Sequence, residues 1–439
     1  MGRKENLLKS VDWFTISLYV ILVLMGWFNI YSASYNPEFP SVFDGSQEYG
    51  KQFIWILLAG VVGSIILLID GDFLRRIAPL VYLTTNILLV LVLLIGKEVN
   101  GAKAWFGVGS FGIQPSEFAK VGTSLMLAYY LSQSNIRMEN FTTKVISVVI
   151  LAIPAVLILL QPDTGTVLVF SAYVLVLYRE GLSGNVLLLG FLACFLAVLS
   201  LLLKATIVDI FSWEIPGQNV LMGVLVLVSV AMGLMIKRFV LPRFRRKNYL
   251  LLSGTLIGSL LFIASLDHTF ENLLEPHQKI RINILLGLAD DPQGAGYNVK
   301  QSKTAIGSGG FSGKGYLEGT LTKYKYVPMQ STDFIYCTIG EEWGFIGSTV
   351  IVILFVTLML RLLFIAERQR STFTRIYGYA VASIFFVHLL INIGMAIGLA
   401  PVIGIPLPFF SYGGSSLLGF TALLFIMLKL DSERLIILR

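Results

Sequence analysis

Two adjacent carboxylates and a set of cations lie in one polar segment late in the chain, residues 267–333. Asp290 and Asp291 stand directly before Pro292. A carboxylate among cations can take a proton from a hydroxyl group, and a general base of this kind contributes about 10²–10⁴ in rate. An aspartate before proline is also typical of a helix start, where Asp291 would only cap the helix. The basic residues that could hold an anionic group are Lys279, Arg281, Lys303 and Lys314.

A glycine-rich stretch, residues 307–315, follows within the same segment. A nucleotide-binding P-loop requires a serine or threonine directly after its Gly-Lys pair. Here Gly315 follows Lys314, so we do not expect a nucleotide site. The glycines favour instead a backbone that turns freely and comes close to a ligand headgroup.

Other ionisable residues lie within or beside apolar runs. Glu117 and Lys120 are three residues apart, so on a helix they share one face and can form an ion pair or serve a function. Asp163 precedes a run that begins with Thr164, which is typical of a helix cap. His388 has no second ligand candidate nearby, and we interpret it as a hydrogen-bonded packing residue.

The composition indicates which elements must position these groups. Hydrophobic residues make up 56% of the 439 residues, charged residues only 13%, and the mean hydropathy is +0.79. Soluble domains carry about 25% charged residues, so the chain is expected to lie in a membrane. Continuous apolar runs predict helices, because backbone groups in a bilayer must pair within their own segment. Cys194 and Cys337 form no disulfide or metal-binding pattern, and no cofactor is predicted, although a divalent cation is left open.

Twelve apolar runs predict an all-α protein with about twelve transmembrane helices. The predicted spans are 13–33, 52–70, 77–96, 116–132, 143–161, 165–179, 185–203, 219–236, 249–266, 334–364, 376–398 and 414–430.

The distribution of charge between these spans predicts their direction. With twelve spans, Lys and Arg cluster at the N-terminus and in alternate loops, most densely in residues 237–247. Residues 34–50 and 205–218 contain acidic residues but no Lys or Arg. The positive-inside rule then places both termini in the cytoplasm and segment 267–333 outside. The net charge of +7 therefore reflects orientation rather than nucleic acid binding, and an anionic lipid headgroup would explain a basic outer loop.

Six segments together resemble the SEDS family, the proteins of shape, elongation, division and sporulation. The match covers nearly the whole chain in the correct order, and the AIGSGG…GKG form is closer to the rod-shape branch than to the division branch. The segments are NGAKAW (100–105), GIQPSEFAK (112–120), QPDTGT (161–166), DPQGAGYNVKQSKTAIGSGGFSGKG (291–315), TDFIYCTIGEEWGFIG (332–347) and PLPFFSYGGSS (406–416).

The resemblance implies a peptidoglycan glycosyltransferase in the bacterial cytoplasmic membrane. Such a protein polymerises lipid II into glycan strands during cell elongation and cell-shape maintenance. Its implied partners are a class B penicillin-binding protein and other membrane proteins of the elongation complex.

The resemblance also assigns roles to residues. Asp291 matches the essential aspartate before Pro-x-Gly-x-Gly-Tyr and is expected to be the general base. The residues expected to bind substrate are Lys279, Arg281, Gln301, Ser302, Lys303, Lys314 and Trp105. The residues expected to support the cavity are Glu117, Lys120, Asp163, Thr332 and Asp333.

The chain also departs from the family pattern. Ala104 replaces an expected arginine, Leu321 an expected glutamine, and residues 329–331 lack the usual charged residue or histidine. The family typically has ten spans, so we expect a two-helix insertion around residues 205–248. A transporter or flippase for a lipid-linked precursor would also carry intramembrane charges, and a non-catalytic scaffold would not require Asp291; both remain alternatives.

Overall fold

The computed structural model describes residues 10–38, 41–99, 101–108, 111–204, 206–210, 213–272, 276–286, 288 and 294–434. Asp290 and Asp291 lie outside the described residues. The chain divides into two compact units, which we describe separately: the first unit contains residues 1–182 and 298–439, and the second unit contains residues 183–297.

The first unit is mainly helical and carries one small antiparallel sheet. Its strands are β1 (Lys97–Val99), β2 (Ala102–Val108) and β3 (Phe111–Ile113), in the order β1-β2-β3. Its helices are α1 (Trp13–Ser34), α2 (Glu48–Leu68), α3 (Gly71–Ile95), α4 (Pro115–Leu131), α5 (Phe141–Leu159), α6 (Thr164–Val169), α7 (Ala172–Arg179), α12 (Ala295–Ser308, from Asn298 onward), α13 (Thr320–Lys323), α14 (Ile335–Glu342), α15 (Gly344–Glu367), α16 (Thr372–Ala396) and α17 (Gly414–Ser432).

The second unit contains three long helices and a two-stranded antiparallel hairpin. Its elements are α8 (Gly184–Lys204), β4 (Ile207–Ile210), β5 (Trp213–Pro216), α9 (Gly217–Phe239), α10 (Pro242–Asn272) and α11 (Pro276–Leu285). Leu196, Leu221 and Ile263 form the buried core of the three long helices. The predicted two-helix insertion around 205–248 falls in this unit and stays a prediction.

Among the described residues, ten helices are long and apolar enough to cross a membrane. These are α1, α2, α3, α5, α8, α9, α10, α15, α16 and α17. The other two predicted spans, 116–132 and 165–179, are helical but differ in form. Helix α4 has only 17 residues and buries Glu117 and Lys120. The second stretch divides into α6 and α7, so neither piece alone has the length of a span.

Three further predictions about the elements are corrected by the structure. The predicted span 334–364 is two helices, α14 and α15, because Gly344 adopts a left-handed φ of 62° between them. The helix predicted at 249–266 begins already at Pro242, since proline is favoured in the first helical turn. The short strands were not predicted, and much of segment 267–333 is helical, in α11, α12 and α13.

Aromatic side chains fill the centre of the first unit where α16 and α17 meet the segment before α17. Phe385 and Phe420 are each 1% exposed, and their ring centroids lie 5.7 Å apart in an edge-to-face arrangement. The ring of Phe409 lies 5.3 Å from Phe385 and 5.9 Å from Phe420. Edge-to-face pairs add specific geometry to packing, so this cluster fixes the positions of the polar residues described next.

Candidate functional site

A buried cation lies at the centre of the first unit. The Lys120 Nζ is 2.8 Å from Glu117 Oε2 and 3.0 Å from His388 Nε2, and it lies over the ring of Phe420. An ammonium group can only donate, so Nε2 of His388 accepts its hydrogen. The other ring nitrogen, Nδ1, therefore carries a hydrogen and donates it to the Pro406 carbonyl at 3.0 Å. The predicted Glu117–Lys120 ion pair is present, and His388 extends it to a segment near the end of the chain.

A chain of hydrogen bonds that begins at Asp163 joins three of the six segments that resemble the SEDS family. This side chain caps α6 through the Thr166 amide, as predicted, and also accepts a hydrogen bond from Gln114 Nε2 at 3.0 Å. The backbone amide of Gln114 in turn donates to Ser415 Oγ, which donates to the Gly112 carbonyl. GIQPSEFAK, QPDTGT and PLPFFSYGGSS are thus joined by direct hydrogen bonds.

A single carboxylate, that of Glu341, organises the end of the glycine-rich stretch. It is fully buried and accepts hydrogen bonds from Lys314 Nζ at 2.7 Å and from the amides of Leu321 and Thr322. Burial opposes the ionisation of Glu341, but the hydrogen bonds from Lys314 and these amides outweigh it and hold its pKa below the usual value. Lys314, predicted to bind substrate, therefore has an internal partner.

Glu342, the next residue, has a different environment. It is 2% exposed, and its Oε1 accepts hydrogen bonds from Ser32 Oγ and the Leu317 amide. Burial, reinforced by the charge of neighbouring Glu341, raises the pKa of Glu342 to about 7. The two adjacent glutamates therefore differ in charge near neutral pH.

Two glycines of the stretch, Gly309 and Gly313, approach the protein backbone closely, whereas a Cβ at Gly307 or Gly310 would meet nothing within 4 Å, and the expected approach to a ligand headgroup stays a prediction. Gly313 has a φ of 81°, and a Cβ atom there would lie 2.1 Å from the Glu342 carbonyl oxygen. Only glycine fits such a contact without a backbone shift. The stretch is therefore packed against the end of α14.

The other polar residues predicted for this site lie on α12 and just before α14. Ser302 is buried and donates to the Ala396 carbonyl at 2.8 Å, whereas Gln301 is half-buried and Lys303 is exposed. The carbonyl of Thr332 accepts from Ser411 Oγ, and that of Asp333 accepts from Asn392 Nδ2. Lys303 thus presents its ammonium group at the surface, while Ser302, Thr332 and Asp333 join elements of the first unit.

Trp105 lies on β2, which stands between α3 and α4 in the sequence. It pairs with Lys97 on β1, and a Cβ at Gly112 would lie 3.0 Å from its ring. Ala104 beside it is 1% exposed, so the arginine expected at this position would have to displace the residues around it.

An apolar cavity of about 640 Å³ adjoins the glycine-rich stretch within the first unit. Its walls include Phe28 of α1, Trp343 and Val350 at the start of α15, and Tyr316. The hydroxyl of Tyr316 donates to the Phe28 carbonyl at 3.0 Å, which connects the stretch to α1. The cavity is suited to an apolar chain by its lining.

The remaining predicted site residues are Lys279, Arg281 and Asp291. Lys279 and Arg281 lie on α11 of the second unit and are half-buried. Asp291 lies outside the described residues, so its assignment as general base stays a prediction. The structure therefore brings together the residues of the first unit that are predicted to support the cavity. It does not test the predicted base, Asp291, or the predicted substrate-binding cations Lys279 and Arg281.

Several functional candidates are missed or undervalued by sequence reasoning. The prediction that His388 is a hydrogen-bonded packing residue is confirmed, but its partner Lys120 was not predicted. Glu341 and Glu342 stand out in the sequence only as an acidic pair, and Gln330 only as a departure from the family pattern. Gln330 is buried and donates to the carbonyls of Ala33 and Thr322. Its neighbours are 297 and 8 residues away in sequence, so no local pattern could have indicated both contacts.

The sequence matches the model of the family described as cell cycle protein, FtsW/RodA/SpoVE, over residues 12–223 and 216–435. It is 34% identical over 421 residues to the peptidoglycan glycosyltransferase RodA of Treponema pallidum, covering 92% of this chain and 94% of that protein. It is 32% identical over 358 residues to the peptidoglycan glycosyltransferase MrdB of Escherichia coli K12, covering 81% of this chain and 78% of that protein.

Solved structures show the same fold. One is a peptidoglycan synthase complex that coordinates polymerization and crosslinking, and its matching chain has a TM-score of 0.65 at 24% identity. The rod shape determining protein RodA of Thermus thermophilus gives a TM-score of 0.57 at 22% identity. Each match covers 97% of this chain and 98% of the other.

Proposed function

Because this chain belongs to the FtsW/RodA/SpoVE family, we propose that it is a peptidoglycan glycosyltransferase that polymerises lipid II during cell elongation. The observation that carries this proposal is the similarity to two relatives named peptidoglycan glycosyltransferase, at 34% identity over 92% of this chain and 32% identity over 81% of it. Ten helices of the described part of the chain are apolar and long enough to cross a membrane, and the chain is a multi-pass membrane protein.

The proposed reaction joins two lipid-linked disaccharides. Asp291 takes the proton from the 4-hydroxyl of the acceptor's N-acetylglucosamine, and that oxygen attacks the anomeric carbon of the donor's N-acetylmuramic acid. The bond from this carbon to the pyrophosphate breaks, and undecaprenyl pyrophosphate leaves with the electron pair. The leaving group is already a good anion, so a base and a cationic clamp suffice for the step.

The geometry of the first unit supports part of this proposal. Lys303 is exposed and can contact a pyrophosphate. The substrate-binding roles of Lys279 and Arg281 rest on the sequence alone. The apolar cavity of about 640 Å³ can receive part of a polyprenyl chain. Lys314 is engaged with the buried Glu341, so we assign it the role of holding the glycine-rich stretch in place rather than the role of a primary phosphate ligand.

The orientation and the partner follow from the charge distribution and the family. We place both termini in the cytoplasm and segment 267–333 on the outer face of the bacterial cytoplasmic membrane. The proposed partner is a class B penicillin-binding protein, which would crosslink the glycan that this chain makes. A structural relative belongs to a complex that coordinates polymerization and crosslinking, which supports a partner of this kind.

The test compares purified wild type with Asp291→Asn, each combined with its penicillin-binding partner and supplied with labelled lipid II. We expect polymerisation to fall by about 100-fold or more when the base is removed. Asp290→Asn is the matched control, because it removes the neighbouring carboxylate and should retain most of the activity. Glycan synthesis by Asp291→Asn at the wild-type rate would contradict the assignment of the base.

The alternative function, transport of a lipid-linked precursor, is favoured by the buried Glu117–Lys120 pair, because transporters also carry intramembrane charges. The same purified protein in liposomes distinguishes the two functions. A wild type that moves lipid II across the bilayer but makes no glycan would replace the glycosyltransferase with a transporter.

A further inference from the structure

A second cavity, of about 740 Å³, lies within the second unit between α9 and α10. Tyr249 of α10 lines it and connects the two helices, since the Tyr249 hydroxyl donates to the Gly233 carbonyl of α9 at 3.1 Å. A Cβ at Gly233 would lie 3.8 Å from the Tyr249 ring, so the glycine leaves the space above the ring open. We call this cavity the α9–α10 groove.

One end of the α9–α10 groove is cationic. Arg245 and Arg246 line it in the first turns of α10. The Arg245 Nε donates to the Val240 carbonyl at 2.8 Å, which orients its guanidinium group. Arginine presents further N–H donors in a planar fork that matches the oxygens of a phosphate.

The rest of the groove is apolar. Leu250 and Leu256 of α10 and Val230 of α9 line it, and Leu250 and Val230 are more than half exposed. From residue 245 to residue 256 a helix rises by about 16 Å. This length is about half the thickness of the hydrocarbon core of a bilayer, and therefore about the depth of one leaflet.

The surrounding sequence determines which charge the occupant must carry. The cations between residues 237 and 247 are Lys237, Arg238, Arg243, Arg245, Arg246 and Lys247, and residues 215–266 contain no Asp or Glu. A soluble anion would match the arginines but leave the apolar wall uncovered. A zwitterionic lipid would fill the wall but bring its own positive charge to the arginines.

We propose that the α9–α10 groove is a binding site for an anionic glycerophospholipid of the cytoplasmic leaflet, with its phosphate on Arg245 and Arg246 and an acyl chain along Val230 and Leu250. Basic pockets between transmembrane helices on the cytoplasmic side are known to hold such headgroups. The site uses residues of the second unit only and does not depend on the proposed glycosyltransferase activity.

Native mass spectrometry of the purified full-length protein tests this site. The protein is titrated with phosphatidylglycerol or with phosphatidylcholine of the same acyl chains. For R245Q/R246Q we expect the affinity for phosphatidylglycerol to fall roughly thirtyfold, since both guanidinium groups that line the groove and would contact the phosphate are removed. The matched control is R243Q/K247Q, which removes the same charge from the same segment but from residues that do not line the groove, and it should change the affinity by less than about threefold.

Two further variants separate a groove from a merely basic surface. Gly233→Leu fills the space above Tyr249 without changing any charge, and it should also abolish the preference for phosphatidylglycerol. Arg246→Gln alone leaves the Arg245–Val240 contact in place and should lose affinity while keeping the wild-type unfolding temperature. Equal losses in the two double variants, unchanged binding by Gly233→Leu, or equal affinity of the wild type for the two lipids would overturn the proposal.

Discussion

The most buried apolar helix of the first unit differs sharply in burial from the apolar helices of the second unit. In the most apolar stretch of α17, 89% of the residues are buried, whereas the corresponding figure is 6% for both α9 and α10. Yet the most apolar stretches of α9 and α10 are more apolar than that of α17, which contains Lys429 and Asp431. In a bilayer the lipid chains are as apolar as leucine, so apolar residues need no burial. Polar composition therefore marks the packed core of this protein, and apolar composition marks the surface that lipid covers.

The largest effect that this comparison predicts concerns the same substitution in each unit. Lys120→Met leaves Glu117 buried without its cation, which should cost about 3–5 kcal/mol of unfolding free energy. Lys237→Met removes an exposed lysine at the end of α9 and should change the stability by less than about 0.5 kcal/mol. Denaturant unfolding of both variants in the same detergent measures the difference. Equal losses of unfolding free energy in the two variants would show that the buried Lys120 contributes no more to stability than the exposed Lys237.

A second pair of variants tests the small core of the second unit. Ile263 is 0% exposed and Leu261 is 66% exposed on the same helix, α10. We expect Ile263→Ala to cost about 2–4 kcal/mol, because it leaves a cavity among Leu196 and Leu221. Leu261→Ala should be nearly neutral. If the two variants unfold at the same temperature, the second unit has no packed core of its own.

A third predicted effect depends on pH and concerns Glu342 in the first unit. Its folded-state pKa of about 7 lies above the ordinary value of 4.5. The stabilisation that it contributes is therefore complete below pH 4.5 and is lost as the pH rises through about 7. Between pH 5 and pH 8 the unfolding temperature of the wild type should fall, and that of Glu342→Gln should fall less.

Glu341→Gln is the control for this pH dependence. The pKa of Glu341 is lowered, so its contribution is lost only at pH values below the ordinary value of 4.5. Glu341→Gln should therefore keep the wild-type slope between pH 5 and pH 8 while unfolding at a lower temperature overall. A slope unchanged in Glu342→Gln would contradict the assignment.

The sequence predicted the helices well because membrane helices depend on local composition. All the predicted spans are helical over most of their length, including 116–132 and 165–179. The break at Gly344 was missed because apolar residues continue on both sides of Glu341 and Glu342. The break itself depends on a contact between Gly344 and Gly313, 31 residues earlier. A Cβ on Gly344 would lie 2.3 Å from the Gly313 amide nitrogen.

The candidate site was predicted less completely, for a related reason. The Glu117–Lys120 pair and the Asp163 cap could be predicted because their partners are three residues away on one helix or turn. The Lys120–His388 contact joins residues 268 positions apart, and only the packing of α4 against α16 creates it. The internal role of Lys314 could not be predicted either, since Glu341 becomes its partner only when the glycine-rich stretch packs on α14.

The convergence of hydrogen bonds on Glu341 has a dynamic consequence. Five donors from residues 314–322 meet on this one carboxylate: Lys314 Nζ, Thr320 Oγ1, the Leu321 amide, the Thr322 amide and Thr322 Oγ1. Segments held in this manner open cooperatively rather than residue by residue. The amide hydrogens of Leu321 and Thr322 are thus expected to exchange with solvent in one shared opening event, so that residues 314–322 open as one cooperative unit.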